Sequence, residues 1–132
     1  MKKVFLGGTC NGSDWRDKLK PLLKIDYFDP VVKNWTPECA GQEIVQRETC
    51  DFCLYVFTPK MLGAYAVAEV ADDSNKRPEK TVLLVLNQDG DSKFSQHQYT
   101  SMMRVCNLVE KNGGRVEASL EAVADYLNGD RA

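Results

Sequence analysis

Two glutamates are the residues of this sequence whose type and position could perform chemistry. Glu69 is the single charged residue in residues 62–71, a run that is otherwise made of Leu, Gly, Ala, Tyr and Val. A helix that is apolar on every side is typically buried, so we expect this carboxylate to be partly desolvated. Glu43 lies in an earlier helical segment. Two carboxylates that converge on one crevice can perform glycosyl chemistry, in which one attacks the anomeric carbon and the other handles the proton of the departing group.

Each glutamate also has an ordinary structural explanation. Glu69 could face solvent at a helix edge beside Asp72 and Asp73, and Glu43 could belong to a charged helix face with Arg47 and Glu48. Charge clusters on helices are usually solvated faces. The residues alone leave both interpretations open.

A glycine-rich turn is the second feature that could bind a ligand. Gly7, Gly8 and Thr9 follow a short apolar run, and glycines allow backbone N–H groups to approach a ligand closely. The turn has neither the G-x-G-x-x-G spacing of dinucleotide-binding proteins nor the lysine of a phosphate-binding loop. We therefore expect no nucleotide cofactor, and the single histidine, His97, gives little material for a metal site.

The cysteines are predicted to be reduced thiols, because their number is odd and the chain is longer than most disulfide scaffolds. They are Cys10, Cys39, Cys50, Cys53 and Cys106. Cys50 and Cys53 form a C-x-x-C pattern, but it leads into a strand-like run instead of opening a helix. We interpret this pair as small core residues.

The elements that must position these residues alternate along the chain. Apolar runs predict strands at residues 4–6, 26–28, 52–57, 81–86 and 115–117, and residues 87–92 form a polar loop. Helices are predicted at about 13–23, 36–49, 61–74, 95–111 and 119–127, with Ser13, Thr36 and Ser119 as N-caps and Ile44 and Val45 facing inward.

This alternation predicts a single doubly wound α/β domain over residues 1–132, with a five-stranded parallel sheet in the order 2-1-3-4-5 and helices on both faces. In such sheets ligands bind beyond the carboxyl ends of the strands, where the winding direction reverses. With this order the reversal lies between the first and third strands. The loops at residues 7–13 and 58–63 should meet there.

Composition excludes several classes of protein. The chain has 132 residues with a formal net charge of −2, which gives no reason to expect a nucleic-acid-binding face. No apolar run approaches the ~18 residues of a membrane span. The apolar part of the first eight residues is too short for a secretory signal. We expect a soluble, cytoplasmic protein.

Several short motifs recur in a particular order over roughly residues 3–86. They are Val4-Phe5-Leu6-Gly7-Gly8-Thr9, Asp14-Trp15-Arg16, Asp29-Pro30, Gln42-Glu43, Cys50-Asp51, and Met61-Leu62-Gly63 leading to Glu69. Glu43 lies eight residues before Asp51, and Glu69 lies in the helix after the third strand. In this order and spacing the chain resembles the nucleoside 2-deoxyribosyltransferase family, in particular its smaller, divergent branch.

The resemblance implies a mechanism. Glu69 would attack C1′ of a 2-deoxyribonucleoside to form a covalent deoxyribosyl-enzyme, and a second base would take the sugar with retention, as in nucleotide salvage. Glu43 would hold the proton that helps the nucleobase to leave. Further contacts to the substrate would come from Phe5, Gly7, Gly8, Thr9, Asp14, Trp15, Asp29, Gly63 and Asn87. Family members complete each site with a neighbouring subunit, which implies a homodimer or larger homo-oligomer.

The chain departs from the family pattern at several places and leaves two alternatives open. Glu43 stands where the best-studied branch has an Asp, and the C-terminal residues that reach into a neighbour's site are not identifiable. Residues 59–63 lack the additional acid that precedes the nucleophile's helix, and the glycine expected two residues after the nucleophile is Ala71. One alternative is a hydrolase of the N-glycosidic bond of nucleoside monophosphates, for which Ser13 and Arg16 could hold the phosphate. The other is a nucleotide-binding or sensing module without turnover.

Overall fold

A parallel sheet forms the centre of the computed structural model, which describes residues 1–10 and 12–130. In chain order the strands are β1 (Lys3–Gly8), β2 (Asp26–Phe28), β3 (Phe52–Phe57), β4 (Thr81–Val85), β5 (Gln88–Asp89), β6 (Ser92–Lys93) and β7 (Arg115–Glu117). Five of them pair in the parallel order β2-β1-β3-β4-β7. Because β7 is the fifth strand of this sheet along the chain, the predicted order is confirmed.

The helices cover both faces of the sheet. They are α1 (Trp15–Leu19), α2 (Pro37–Thr49), α3 (Tyr65–Lys76), α4 (Gln96–Lys111) and α5 (Leu120–Leu127), with 3₁₀ turns at Lys20–Leu22 and Pro78–Lys80. Ser119 caps α5 as predicted, since its hydroxyl accepts the N–H of Ala122. Thr36 is the N-cap of α2 and Pro37 its first residue.

Alternation of side chains along the strands divides the core into two clusters. On one face, Leu6, Leu54 and Leu84 pack with Trp15 of α1 and Leu127 of α5. On the other face, strand residues pack against α3 and α4, and this second cluster includes Phe5, Cys53, Tyr55, Phe57, Leu83, Val70 and Val109. The candidate residues Glu43, Arg47 and Glu69 belong to the helices α2 and α3 described above.

Cys50 and Cys53 are buried free thiols, in agreement with their assignment to the core. The Cys53 thiol donates a hydrogen bond to the Arg47 carbonyl at 3.1 Å. Burial raises the pKa of Cys53 to about 12, so the thiol is held in its neutral, unreactive form.

Two helix starts differ from the sequence-based prediction. Asp14, not Ser13, is the N-cap of α1, and the Ser13 hydroxyl instead donates to Asp89 at 2.6 Å. The α-helical part of α1 ends at Leu19, because Pro21 has no N–H to continue the helix. Helix α3 begins at Tyr65, four residues later than predicted.

Three expectations about exposure and loops are also corrected. Residues 62–64 are exposed, as is Ala68 on α3, so the helix around Glu69 is not buried on every side. Ile44 and Val45 are each 53% exposed, because α2 turns its polar side, with Arg47, toward the neighbouring helix α3. The predicted loop at residues 87–92 contains β5 and the first residue of β6, which form an antiparallel pair.

None of the helices within residues 1–10 and 12–130 combines the length and the apolar character that a membrane crossing requires.

Candidate active site

A cavity of about 400 Å³ lies at the carboxyl ends of β1 and β3, where the strand order reverses. Its wall includes residues from the turn after β1 and from the loop before α3, so these two loops meet as predicted. The volume falls in the usual range for small-molecule sites.

The glycines that the sequence predicted to form a turn are the last two residues of β1, and the strand requires both of them here. A Cβ added to Gly7 would lie 2.7 Å from the Tyr55 ring, which occupies the space beneath it. Gly8 has a φ of +109°, and an added Cβ would lie 2.1 Å from the Val56 carbonyl oxygen. The main chain at the carboxyl end of β1 can therefore lie close beside β3 and form the floor of the cavity.

Arg16 and Trp15 hold the main chain at the end of β1 and at Thr9 through hydrogen bonds. The Arg16 guanidinium donates to the Thr9 carbonyl at 2.6 Å and to the Leu6 carbonyl at 2.9 Å. The Trp15 indole donates to the same Thr9 carbonyl at 2.7 Å. Thr9 in turn accepts the N–H of Thr58 on its hydroxyl at 2.9 Å, which joins the turn to the end of β3. The position of the cavity floor is thus set by buried hydrogen bonds.

The structure brings seven of the predicted site residues together and leaves four outside. The cavity wall contains Phe5, Gly7, Gly8, Thr9, Glu43, Gly63 and Glu69. Trp15 is 1% exposed and belongs to the core on the opposite face of the sheet. Asp14, Asp29 and Asn87 are also absent from the wall.

The three polar residues outside the wall have other contacts. Asp14 is mostly exposed and pairs with Lys18 at 3.4 Å. Asp29 accepts a hydrogen bond from Lys20 at 2.7 Å, although its neighbour Pro30 does line the cavity. The Asn87 carbonyl accepts the N–H of Phe94 at 3.3 Å.

Glu69 occupies the second turn of α3 and is largely removed from solvent. Its side chain is 12% exposed, and its Oε2 lies 3.5 Å from Nη1 of Arg47. Burial raises the pKa of Glu69 to about 7; Arg47 opposes this increase, while the charges of Glu43 and Asp73 add to it. Close to neutral pH the carboxyl group can therefore exist in both protonation states.

Glu43 lies one turn before Arg47 on α2, so both side chains project from the same side of that helix. Burial raises the pKa of Glu43 above its usual value, and Arg47 partly offsets this effect. The cavity therefore contains two carboxyl groups that have a weakened tendency to ionise. Such a pair suits one group that carries a proton and one that carries a negative charge.

Arg47 also belongs to a buried network that sequence analysis did not identify. Its Nη2 and Nε donate to the two carboxylate oxygens of Asp73 at 2.9 and 3.2 Å. Asp73 has no exposed side-chain surface and also accepts a hydrogen bond from the Tyr55 hydroxyl. The sequence contained one indication of this network, which was spacing. Glu43 and Arg47 are four residues apart, and so are Glu69 and Asp73. This spacing places the two members of each pair on one helix face.

The rim of the cavity is apolar and was also missed. Large exposed side chains surround the opening: Val31, Val32, Trp35, Leu62 and Tyr65. Trp35 is 59% exposed and Tyr65 72% exposed. These residues lie in loops or at a helix start, where hydrophobic periodicity gives no indication of what they face.

The fold and the cavity together define a doubly wound α/β protein with a two-carboxylate site at its topological switch point. A family model described as "Nucleoside 2-deoxyribosyltransferase like" matches residues 1–88, which include all the cavity residues named above. The chain belongs to this family, as its motifs predicted.

A solved structure has the same overall fold. The chain is similar to a "conserved protein from Enterococcus faecalis V583", with 17% sequence identity, a TM-score of 0.57 and 99% of each chain covered. At this identity the similarity concerns the fold alone. A search of curated proteins gave no match.

Proposed function

We propose that this protein transfers 2-deoxyribose between nucleobases, through a covalent intermediate on Glu69, in nucleotide salvage. The observation that carries the proposal is the position of Glu69 in the wall of the cavity at the switch point, with its side chain 12% exposed. Membership of the nucleoside 2-deoxyribosyltransferase-like family supports the same chemistry.

In the first step a carboxylate oxygen of Glu69 forms a bond to C1′ of a deoxyribonucleoside while the bond from C1′ to the base nitrogen breaks. The electron pair of that bond goes to the base, which takes up a proton and leaves. In the second step a nitrogen of the acceptor base attacks C1′, and the Glu69 carboxylate is released. Two inversions at C1′ give net retention.

Glu43 is the proposed proton donor of the first step and acceptor of the second. It lines the same cavity as Glu69, and its raised pKa favours the protonated form that a departing base requires. The main chain of β1 at Gly7 and Gly8, next to Phe5, is the surface on which we expect the base to lie. The rings of Trp35 and Tyr65 at the rim offer apolar surface to the same ligand.

The contacts of Arg16 and Ser13 support a nucleoside, and not a nucleoside monophosphate, as the donor. Arg16 lines the cavity, but it is 7% exposed and directs its N–H groups to the carbonyls of Leu6 and Thr9. The Ser13 hydroxyl donates to Asp89. Either residue would have to give up buried hydrogen bonds to hold a phosphate.

The proposal includes a homodimer or larger homo-oligomer that covers the cavity rim. The cluster of exposed apolar side chains at the opening supports it, because such patches commonly mark interaction surfaces. Sedimentation of the purified protein at micromolar concentration tests this part; a monomer at all concentrations would contradict it.

An exchange assay tests the proposed reaction. The protein is incubated with a deoxynucleoside and a different free base, and we expect the exchanged nucleoside with retained configuration. Glu69→Gln should lower the rate by about 10³-fold or more, as expected for loss of a nucleophile. Glu43→Gln should slow the reaction by about 10²-fold or more, most strongly for bases that leave poorly.

Glu48→Gln is the matched control, because Glu48 is an exposed residue of the same helix as Glu43. It should retain the exchange rate. Free deoxyribose as the sole product would indicate a hydrolase, and tight nucleotide binding without any product would indicate a binding module. Either result would contradict the proposed transfer.

A further inference from the structure

Arg47 lies between two acidic groups with different surroundings. On one side Asp73 is fully buried and accepts two hydrogen bonds from the guanidinium. On the other side Nη1 lies 3.5 Å from Oε2 of Glu69, in the wall of the cavity. Pairing with Asp73 uses Nε and Nη2, so the remaining nitrogen is directed toward the cavity carboxylate.

We propose that Arg47 is a positioning residue that favours the ionised form of the Glu69 carboxyl group and leaves its other oxygen, Oε1, to attack the sugar. This inference rests on the proposed function of Glu69 as the nucleophile. This role goes beyond joining helices α2 and α3, which the hydrogen bonds of Arg47 to Asp73 already do.

The orientation of the guanidinium is fixed from behind. The Tyr55 hydroxyl on β3 donates a hydrogen bond to Asp73, and Asp73 binds the guanidinium through both carboxylate oxygens. A planar guanidinium held at two nitrogens cannot rotate without breaking both bonds. The third nitrogen is therefore held at a defined place on the cavity wall.

The charges around Glu69 come from three elements. Helix α2 contributes Arg47 and Glu43, helix α3 contributes Asp73, and β3 contributes the neutral phenol of Tyr55, whose pKa burial raises. Asp72 on α3 also pairs with Arg47, at 3.1 Å, but is 41% exposed. Arg77 pairs with Asp73 at 3.4 Å and Lys76 with Asp72 at 3.0 Å, but Arg47 is the cation that pairs with Glu69. Removal of Arg47 would therefore leave Glu69 in surroundings that favour the protonated form.

The test replaces Arg47 by Met, which keeps an unbranched apolar chain but has no charge. The ionisation of Glu69 is followed by NMR with ¹³C-labelled glutamate carboxyls, and the Glu69→Gln protein identifies its signal. An opposite charge at this distance typically shifts a carboxyl pKa by about 1–3 units, so Arg47→Met should raise that of Glu69 by at least ~1 unit. Arg104→Met removes an exposed arginine of α4 and should cause no shift.

Exchange activity gives the second readout. A Glu69 pKa near 7 that rises by ~1 unit lowers the ionised fraction at pH 7 by about fivefold. We expect at least this loss of kcat at pH 7 and substantial recovery at pH 9, with a smaller effect on KM. A purely structural role would instead lower the activity by the same factor at every pH.

Arg47→Lys is the second variant, because a buried acid that loses its partner could unfold the Met variant. Lysine can pair with Asp73 but cannot also present a second nitrogen to Glu69. It should therefore raise the Glu69 pKa while circular dichroism shows a folded protein.

An unchanged Glu69 titration in either folded variant would overturn the inference. If the wild-type protein lacks exchange activity but its Glu69 signal shifts in the variants, the proposed function fails. The control of Glu69 ionisation by Arg47 is then still supported.

Discussion

At the scale of single residues, the ionisation of Glu69 reflects opposing effects. Burial favours the protonated carboxyl, whereas the Arg47 guanidinium 3.5 Å away favours the carboxylate. The result is a pKa of about 7, above the ordinary value of 4.5. A nucleophile with this pKa is expected to lose activity as the pH falls below about 7.

The same shift predicts how stability depends on pH. A raised pKa means that the folded protein binds the proton more tightly than the unfolded chain, so this group's contribution falls as the pH rises from 4.5 to about 7. Glu69→Gln removes the buried charge and should stabilise the protein by ~1–3 kcal/mol at pH 8. At pH 4, where the carboxyl is protonated in both states, the change should be close to zero.

Urea denaturation of the wild type and of Glu69→Gln at the two pH values measures this difference. Glu48→Gln, which replaces an exposed glutamate, is the control and should show little change at either pH. An equal effect of Glu69→Gln at pH 4 and pH 8 would show that the charge of Glu69 is not the cause.

Sequence analysis singled out the two acids but not the arginine that pairs with Glu69. Glu69 stood out because its neighbours are apolar, and Glu43 because of its spacing from Asp51. Arg47 looked like part of a charged surface, since a helical sequence does not show which polar face meets another helix. Its burial at 7% exposure depends on Asp73, 26 residues further along the chain.

At the scale of the elements, the carboxyl end of β1 is constrained by its contact with β3. Gly8 combines a positive φ with an approach to Val56 that leaves no room for a side chain. We expect Gly8→Ala to destabilise the protein by about 2 kcal/mol or more and to distort the cavity floor. Thermal or urea unfolding measures this loss.

Gly41 provides a matched control for the same substitution. It lies inside α2, and an added Cβ would meet nothing within 4 Å. Gly41→Ala should therefore stabilise the protein by about 0.5–1 kcal/mol. Similar effects at both positions would contradict the packing assigned to the turn.

The strands were easier to predict than the starts of the helices. The buried parallel strand β3 is a continuous apolar run, and its limits match the prediction. Strand β1 spans Lys3–Gly8 and so extends beyond the predicted residues 4–6, because its glycines pair with β3 as strand residues. Helix α3 begins later than its composition indicates, because Leu62 to Ala64 form an exposed loop segment that precedes it. Ser13 resembles an N-cap in sequence, but its hydroxyl is used by Asp89, 76 residues away.

At the scale of the whole molecule, the alternation of strands and helices was sufficient to predict the sheet order and the position of a cavity. Right-handed crossovers and a reversal between β1 and β3 leave one crevice at the carboxyl ends of these strands. The cavity lies there. The apolar rim could not be predicted, because Trp35 and Tyr65 come together only through the arrangement of separate loops.

Formation of a sugar adduct on Glu69 is the central claim, and mass spectrometry measures it directly. The protein is incubated with a deoxynucleoside without an acceptor base, quenched in acid, digested and analysed. We predict a mass increase of one 2-deoxyribosyl group on Glu69 that disappears when an acceptor base is added and is absent from Glu69→Gln. Base exchange accompanied by an adduct on another residue, or undiminished in Glu69→Gln, would contradict it.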